Sequence, residues 1–230
     1  MPKIFSRNPQ SAPRAEIQEM ILLTLARSAE NANAVSPADL AHELNLSRPA
    51  LDTQLRPLVE QGLLSGGASG TLALTESGRE RAHTLLRRHR LTERLFTDVL
   101  GLDLVRAHEE ADKFEHVVSP EAERQLASQL GDPETCPHGN PIPNAYGAAT
   151  HPSAVPLDQC APRAHATIVR IAQETPVALQ HLATLGLLPN VQIQVENKAP
   201  FDGPVLVRVG RAHYALGHDL AARIWVRLEN

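Results

Sequence analysis

Ser36-Pro37-Ala38-Asp39-Leu40-Ala41-His42-Glu43-Leu44-Asn45-Leu46-Ser47-Arg48-Pro49-Ala50 is the stretch on which the fold of this 230-residue chain turns. Ser36 reads as an N-cap, Pro37 as the first helical residue and Asp39 as the acid of the first turn, so a short helix starts here. Asn45-Leu46-Ser47 turns the chain. Ser47 then caps a second helix, with Pro49 near its start, that runs to about Gln61 and stops at Gly62. Pro57 should cost that helix some regularity. Upstream, Ile17, Met20, Ile21, Leu23 and Leu25 predict an amphipathic helix of roughly four turns, broken at Asn31-Ala32-Asn33. Downstream, Leu63-Leu64, the turn Ser65–Gly70 and Thr71-Leu72-Ala73-Leu74-Thr75 predict a hairpin. This order is that of a winged helix-turn-helix over residues 1–75, although any three-helix packing unit can share it. In the DNA-binding reading, Ser47, Arg48, Pro49, Thr53 and Arg56 occupy the outward, N-terminal part of the recognition helix. The two arginines would meet phosphates or guanine edges. Asp52 is less welcome there.

The remainder gives a mainly α chain with a small β part. From Glu76-Ser77-Gly78 a long helix runs to about Leu100, a break falls at Gly101-Leu102-Asp103, and helices follow over 104–117 and from Ser119-Pro120 to Leu130. Leu85, Leu86, Leu91, Leu95, Phe96, Val99 and Leu100 give an apolar face broader than one helix pair needs. Residues 76–146 therefore read as a helical metal-binding and dimerisation domain, and a winged-helix dimer would read both halves of a palindrome. A Pro/Ala-rich linker covers 147–162. From 163 to 230 the alternation at 164–171, 191–195 and 205–209 predicts a small antiparallel β barrel, with a short helix inserted from Pro176 to Leu185.

Composition narrows the function. Lys plus Arg number 22 against 26 Asp plus Glu, a net charge of −4, which excludes a strongly basic nucleic-acid coat. No window approaches ~20 uninterrupted apolar residues, so no membrane partner is expected. The first 16 residues lack an apolar signal core, and two cysteines, Cys136 and Cys160, make no disulfide framework. Both point to the cytoplasm. Of seven aromatics only Phe5 precedes Phe96, so the first half lacks the stacking platforms of a single-strand binder. Residues 1–99 carry 12 basic and 11 acidic side chains, residues 100–146 three and nine, and residues 147–230 seven and six. The acidic middle is either a solvated helical face or a cation site.

Asp112, Glu115 and His116 stand at i, i+3 and i+4, one face of a helix. His108 extends that stripe by a turn. His89 and Glu93 repeat an i, i+4 pairing on the preceding helix, and Glu16 and Glu19 stand three apart on the first. Any one pair could be a surface salt bridge. Their convergence on adjacent helices predicts a metal site, and carboxylate with imidazole suits manganese or ferrous iron. Cys136-Pro137-His138 could also ligate, but its Pro/Gly setting reads as a rigid turn. Glu174 reads as a solvated loop carboxylate.

Glu109-Glu-Ala-Asp-Lys-Phe-Glu-His-Val-Val-Ser-Pro120, preceded by Arg88–Leu102 and followed by Cys136-Pro-His-Gly-Asn-Pro-Ile-Pro143, resembles the diphtheria toxin repressor family of metal-dependent transcriptional regulators. The resemblance runs from about residue 14 to the end. Leu182-Ala-Thr-Leu-Gly-Leu-Leu-Pro189 is similar to the SH3-like domain shared with ferrous-iron transport accessory proteins. The resemblance implies a primary metal site at Asp112, Glu115 and His116 and an ancillary one at His89, Glu93 and His108. Asp112 stands where the iron-responsive members carry cysteine and so resembles the manganese-responsive branch, in which an acidic pair matching Glu16 and Glu19 adds ligands. That branch often lacks the SH3-like domain and the Glu93 and His108 matches, so the chain mixes features. Ser47 and Pro49 match DNA-facing positions; Ala50 and Thr53 depart from the usual residues, which implies a different operator. The expected protein is a homodimer, ordered by Mn2+ (or Fe2+), that binds palindromic double-stranded promoters of metal-transport genes, mainly as a repressor. The rival reading is a dinuclear carboxylate/histidine metalloenzyme. The acidic segment has no Glu-x-x-His pair of the form such enzymes use, and no nucleophile elbow or phosphate loop appears.

Overall fold

A computed structural model describes residues 13–31, 34–66, 70–144, 154–172 and 174–229. The first twelve residues, most of the break after Asn31, the tip of the predicted hairpin and residues 145–153, which include the first part of the predicted linker, lie outside the described residues.

Helix α1 (Arg14–Glu30) is 17 residues long and buries Ile17, Ile21, Leu22 and Leu25. Helix α2 (Pro37–Glu43) starts at a reciprocal capping box: the Ser36 hydroxyl accepts from Asp39 N at 3.2 Å, and Asp39 Oδ2 accepts from Ser36 N at 3.2 Å. Two orphan donors are satisfied at once. Ser47 caps α3 (Arg48–Glu60), which continues unbroken through Pro57. Strands β1 (Leu64–Ser65) and β2 (Ala73–Leu74) form the short antiparallel wing. Helix α4 (Glu76–Arg94) is capped by Thr75 and packs along α1. Its Gly78 is obligatory, because a Cβ there would lie 1.9 Å from Leu63 O.

One π-helical turn (Leu95–Val99) ends α4. Then come α5 (Leu104–Phe114), capped by Asp103, a 3-10 turn over Glu115–Val117, and α6 (Pro120–Gln129), capped by Ser119. The expected apolar face divides. Leu85 and Leu86 are fully buried in one core with Leu22, Leu40, Leu51 and Leu58, so this half of α4 completes the winged-helix unit. Leu91 is buried in a small cluster with Ala127 and Ile142. Only the far end is open: Val99 is 62% and Leu100 58% exposed.

The C-terminal part is a six-stranded antiparallel sheet in the order β3-β8-β4-β5-β6-β7. Its strands are β3 (Val155–Pro156), β4 (His165–Ile171), β5 (Gln192–Lys198), β6 (Val205–Val209), β7 (Ala212–Leu216) and β8 (Ile224–Leu228), with α7 (Pro176–Thr184) and the short α8 (His218–Ala221) between them. Residues 155–156, expected in a flexible linker, instead pair with β8, and the neighbouring Leu157 and Cys160 are buried in this core. The linker expectation fails there because Val155 and Leu157 bury apolar surface. Val105 of α5 joins the same core, so the sheet packs onto the helical part.

Candidate metal centre and nucleic-acid face

The end of α4, the length of α5 and the 3-10 turn after it enclose a buried set of carboxylates and imidazoles. His89 and Glu93, one turn apart, are both fully buried, with His89 Nε2 3.0 Å from Glu93 Oε1. From α5, His108 Nδ1 lies 2.7 Å from the same oxygen and 3.2 Å from His89 Nε2. His89 Nδ1 faces Glu115 Oε2 at 2.5 Å and Asp112 Oδ1 at 3.4 Å. Among the described residues, His89, Glu93 and His108 bring ligand atoms within 4.8 Å of one another, as do His89, Asp112 and Glu115. His89 thus belongs to both groups, whereas the sequence placed it only with Glu93 and His108.

His116 lies between Glu115 and α1, with Nε2 3.7 Å from Glu115 Oε1. Its Nδ1 lies 2.8 Å from Glu19 Oε2, while Arg81 holds the other Glu19 oxygen at 2.6 Å. Burial works to raise the Glu19 pKa, but His116 and Arg81 pull it below the ordinary value. Glu16 is close enough to help hold the His116 proton. The first helix therefore reaches the centre through Glu19, one of the two acids its i, i+3 spacing singled out.

The loop after α6 adds a third group. Glu93, Cys136 and His138 also gather ligand atoms within 4.8 Å, all three buried. His138 Nδ1 is 3.2 Å from Glu93 Oε1, and Cys136 Sγ is 3.8 Å from His138 Nδ1. The rigid-turn reading of this loop holds as well: Cys136 N donates to Asn140 O and Gly139 N to Cys136 O. The turn is what aims His138 inward. Gly139 has φ +82°, and a Cβ there would meet Val169 O at 1.9 Å, so the loop is pressed against β4. The sequence signal for this ligand pair was the Cys-x-His spacing.

Glu174 is not solvated. Its side chain is 7% exposed, Asn140 Nδ2 donates to it at 2.5 Å, and Arg27 Nε lies 3.0 Å away. Arg90, 1% exposed, forms a bidentate pair with Glu30 of α1 and donates to Pro141 O. Arg170 of β4 donates to Asn140 and to Asn31. Sequence reasoning saw none of these contacts, since their partners stand 30 to 147 residues apart.

The donor set fits a divalent cation. Glu93 Oε2 and His138 Nε2 are buried with no hydrogen-bond partner among the described residues, and a buried carboxylate oxygen without a donor is costly unless a cation serves it. Burial and a nearby guanidinium, Arg27, both act to lower the His89 pKa, yet Glu93 and Glu115 raise it to about 10. His138 is likewise held well above its ordinary value, against burial, chiefly by Glu93. Burial and Glu93 keep the Cys136 thiol protonated, with a raised pKa.

On α3, Ser47, Pro49, Thr53 and Arg56 are exposed and Arg48 is half-buried. The Arg48 guanidinium lies 3.0 Å from Asp52 Oδ1, so the unwelcome carboxylate is neutralised within the helix. No helix among the described residues is long and apolar enough to cross a membrane.

The comparisons agree with this arrangement. Residues 75–144 match the family model described as iron dependent repressor, metal binding and dimerisation domain, and residues 155–228 match the FeoA domain. The iron-dependent repressor IdeR of Mycobacterium tuberculosis is 34% identical over 227 residues, covering 90% of this chain and 95% of that protein. The diphtheria toxin repressor of Corynebacterium diphtheriae is 37% identical over 140 residues, 60% of this chain and 62% of that one. A solved manganese-dependent transcriptional repressor in complex with manganese is 32% identical, with a TM-score of 0.82, covering 92% of this chain and 100% of the other. With its winged helix, buried ligand clusters and SH3-like sheet, the chain belongs to the diphtheria toxin repressor family of metal-dependent transcriptional repressors.

Proposed function

We propose that this chain is a cytoplasmic repressor that binds palindromic operators as a homodimer when its centre holds a divalent ion, manganese in preference to ferrous iron. The observation that carries the reading is the convergence of His89, Glu93, His108, Asp112 and Glu115, with one Glu93 oxygen buried and unpartnered. We assign Asp112, Glu115, His116, Glu19 and Glu16 to one ion and His89, Glu93 and His108 to a second, with Cys136 and His138 beside Glu93. Oxygen and nitrogen donors dominate, which favours manganese, although the Cys136 thiol would suit a softer ion. A bound ion supplies the positive charge that these carboxylates lack. The chain's own residues do the rest. Glu19 and Glu30 tie α1 to His116 and Arg90, and α1 shares a core with α2, α3 and α4. Fixing the carboxylates of α1 and α5 fixes the orientation of α3, hence the spacing of two recognition helices across a dimer. By linkage, DNA must tighten metal binding as much as metal tightens DNA binding.

A regulator without turnover is our reading, and a manganese-loaded sample that consumed oxygen or hydrolysed an ester would favour the metalloenzyme instead. The direct test is fluorescence anisotropy on a palindromic promoter fragment. Affinity should be at least about tenfold higher in manganese than in chelator, within the range of site coupling. Asp112→Ala should remove the difference. Equal binding in both conditions for the unaltered chain would overturn the metal switch.

A further inference from the structure

Arg27 is on α1, yet its guanidinium lies among the ligands. Nε is 3.0 Å from Glu174 Oε2 and Nη2 is 3.7 Å from Asp112 Oδ1. Both nitrogens are buried, and neither makes an aligned hydrogen bond among the described residues. Charge holds the side chain, not directional bonding, so its departure breaks no well-formed hydrogen bond. A second cation sharing Asp112 meets the guanidinium at close range in a poorly solvated site, where like charges repel strongly. The side chain has a place to go. It lines a cavity of about 600 Å3 together with Asp112, Glu174 and, from α2, Asp39 and Glu43. Burial raises the Glu43 pKa, and Arg27 already pulls it back.

We propose that Arg27 is a built-in counter-cation that shuttles between two sets of carboxylates: Asp112 and Glu174 when the centre holds no ion, and Glu43 with Asp39 on α2 when it does. Arg27 then has two effects. It stabilises the metal-free chain and raises the ion concentration needed for loading, because loading requires its release. It also delivers a charge to α2, the helix that precedes the recognition helix, so the state of the centre is felt in the reading unit without any contact to DNA. The proposal rests on the assignment of Asp112 as a ligand.

The test is manganese titration of the full-length, DNA-free chain by calorimetry, with thermal unfolding of the metal-free form alongside. Arg27→Gln should bind manganese roughly five- to tenfold more tightly, the low end of typical site coupling, and its metal-free form should melt earlier. Glu43→Gln should weaken manganese binding about threefold in the natural background and change nothing in Arg27→Gln, a coupling that a mere structural brace does not produce. Equal or weaker binding by Arg27→Gln overturns the counter-cation, and an equal Glu43→Gln effect in both backgrounds overturns the shuttle. Where Arg27→Gln does not fold, Arg27→Lys serves. It keeps the charge, so the Glu43→Gln effect must persist, and its loss counts against the proposal. Unchanged manganese binding by Asp112→Ala defeats the site assignment itself, which separates the two failures.

Discussion

Glu93 carries three imidazoles on one oxygen: His89 Nε2 at 3.0 Å, His108 Nδ1 at 2.7 Å and His138 Nδ1 at 3.2 Å. In spite of complete burial, His138 and His89 hold its carboxyl well below the ordinary range. His89 and His138 respond in the opposite sense, His89 moving from 6.5 to about 10. For a group raised on folding, the stabilisation is full below the unfolded value and is lost as pH climbs through the folded one. The metal-free chain should therefore lose the His89 contribution between about pH 6.5 and 10, visible as a falling Tm across that window. Ligands must shed protons to bind metal, so manganese affinity should rise with pH, with proton release detectable by titration in buffers of different ionisation enthalpy. Glu93→Gln should weaken manganese binding by about tenfold or more, in line with changes at metal-site residues, and flatten the alkaline fall in Tm. An unchanged pH profile in Glu93→Gln would place the charge elsewhere.

At the scale of elements, short-range chemistry was readable and long-range chemistry was not. Ser36 and Ser47 cap as expected, and Ser119, beside Pro120 and an acidic first turn, caps the last helix of this part in the same way. The pairs His89/Glu93 and His108/Asp112 follow from helical spacing alone. Strand β8 was passed over, although Ile224 and Val226 alternate and both are buried. Strand β7 gave a fainter signal, because its outward residues include His213 and half of its apolar residues are alanine. The burial of Glu174 was out of reach, since Arg27 and Asn140 come from distant elements. One loop can be tested alone. Gly139→Ala forces a Cβ onto Val169 O at a positive φ, strain worth about 1–3 kcal/mol. The metal-free Tm should fall accordingly, and cadmium or cobalt absorption bands from the Cys136 thiolate should weaken, because His138 moves with the loop.

At the scale of the whole molecule, the exposed apolar residues Val99 and Leu100, after α4, and Phe114 and Val117, at the end of α5 and in the turn after it, are 45 to 72% accessible. They are the surface a second copy should cover. Val99→Asp with Leu100→Asp should turn the dimer into a monomer by sedimentation velocity and abolish tight operator binding. Manganese binding should stay within about threefold, since neither residue belongs to a ligand group and distant sites behave additively. The division of charge also makes sense at this scale: the net −4 sums near-neutral flanks and an acidic middle, one of whose carboxylates, Glu115, is buried beside His89 of the preceding helix. The order in which the parts leave the ribosome adds a further consequence. The winged-helix core is complete once Leu86 has been made, but His138 and Glu174 come 52 and 88 residues later. At about 5–20 residues per second, each nascent chain spends on the order of ten seconds with a finished reading head and no finished sensor. Newly made copies are therefore blind to the cell's metal until synthesis has passed the sheet that closes over the centre.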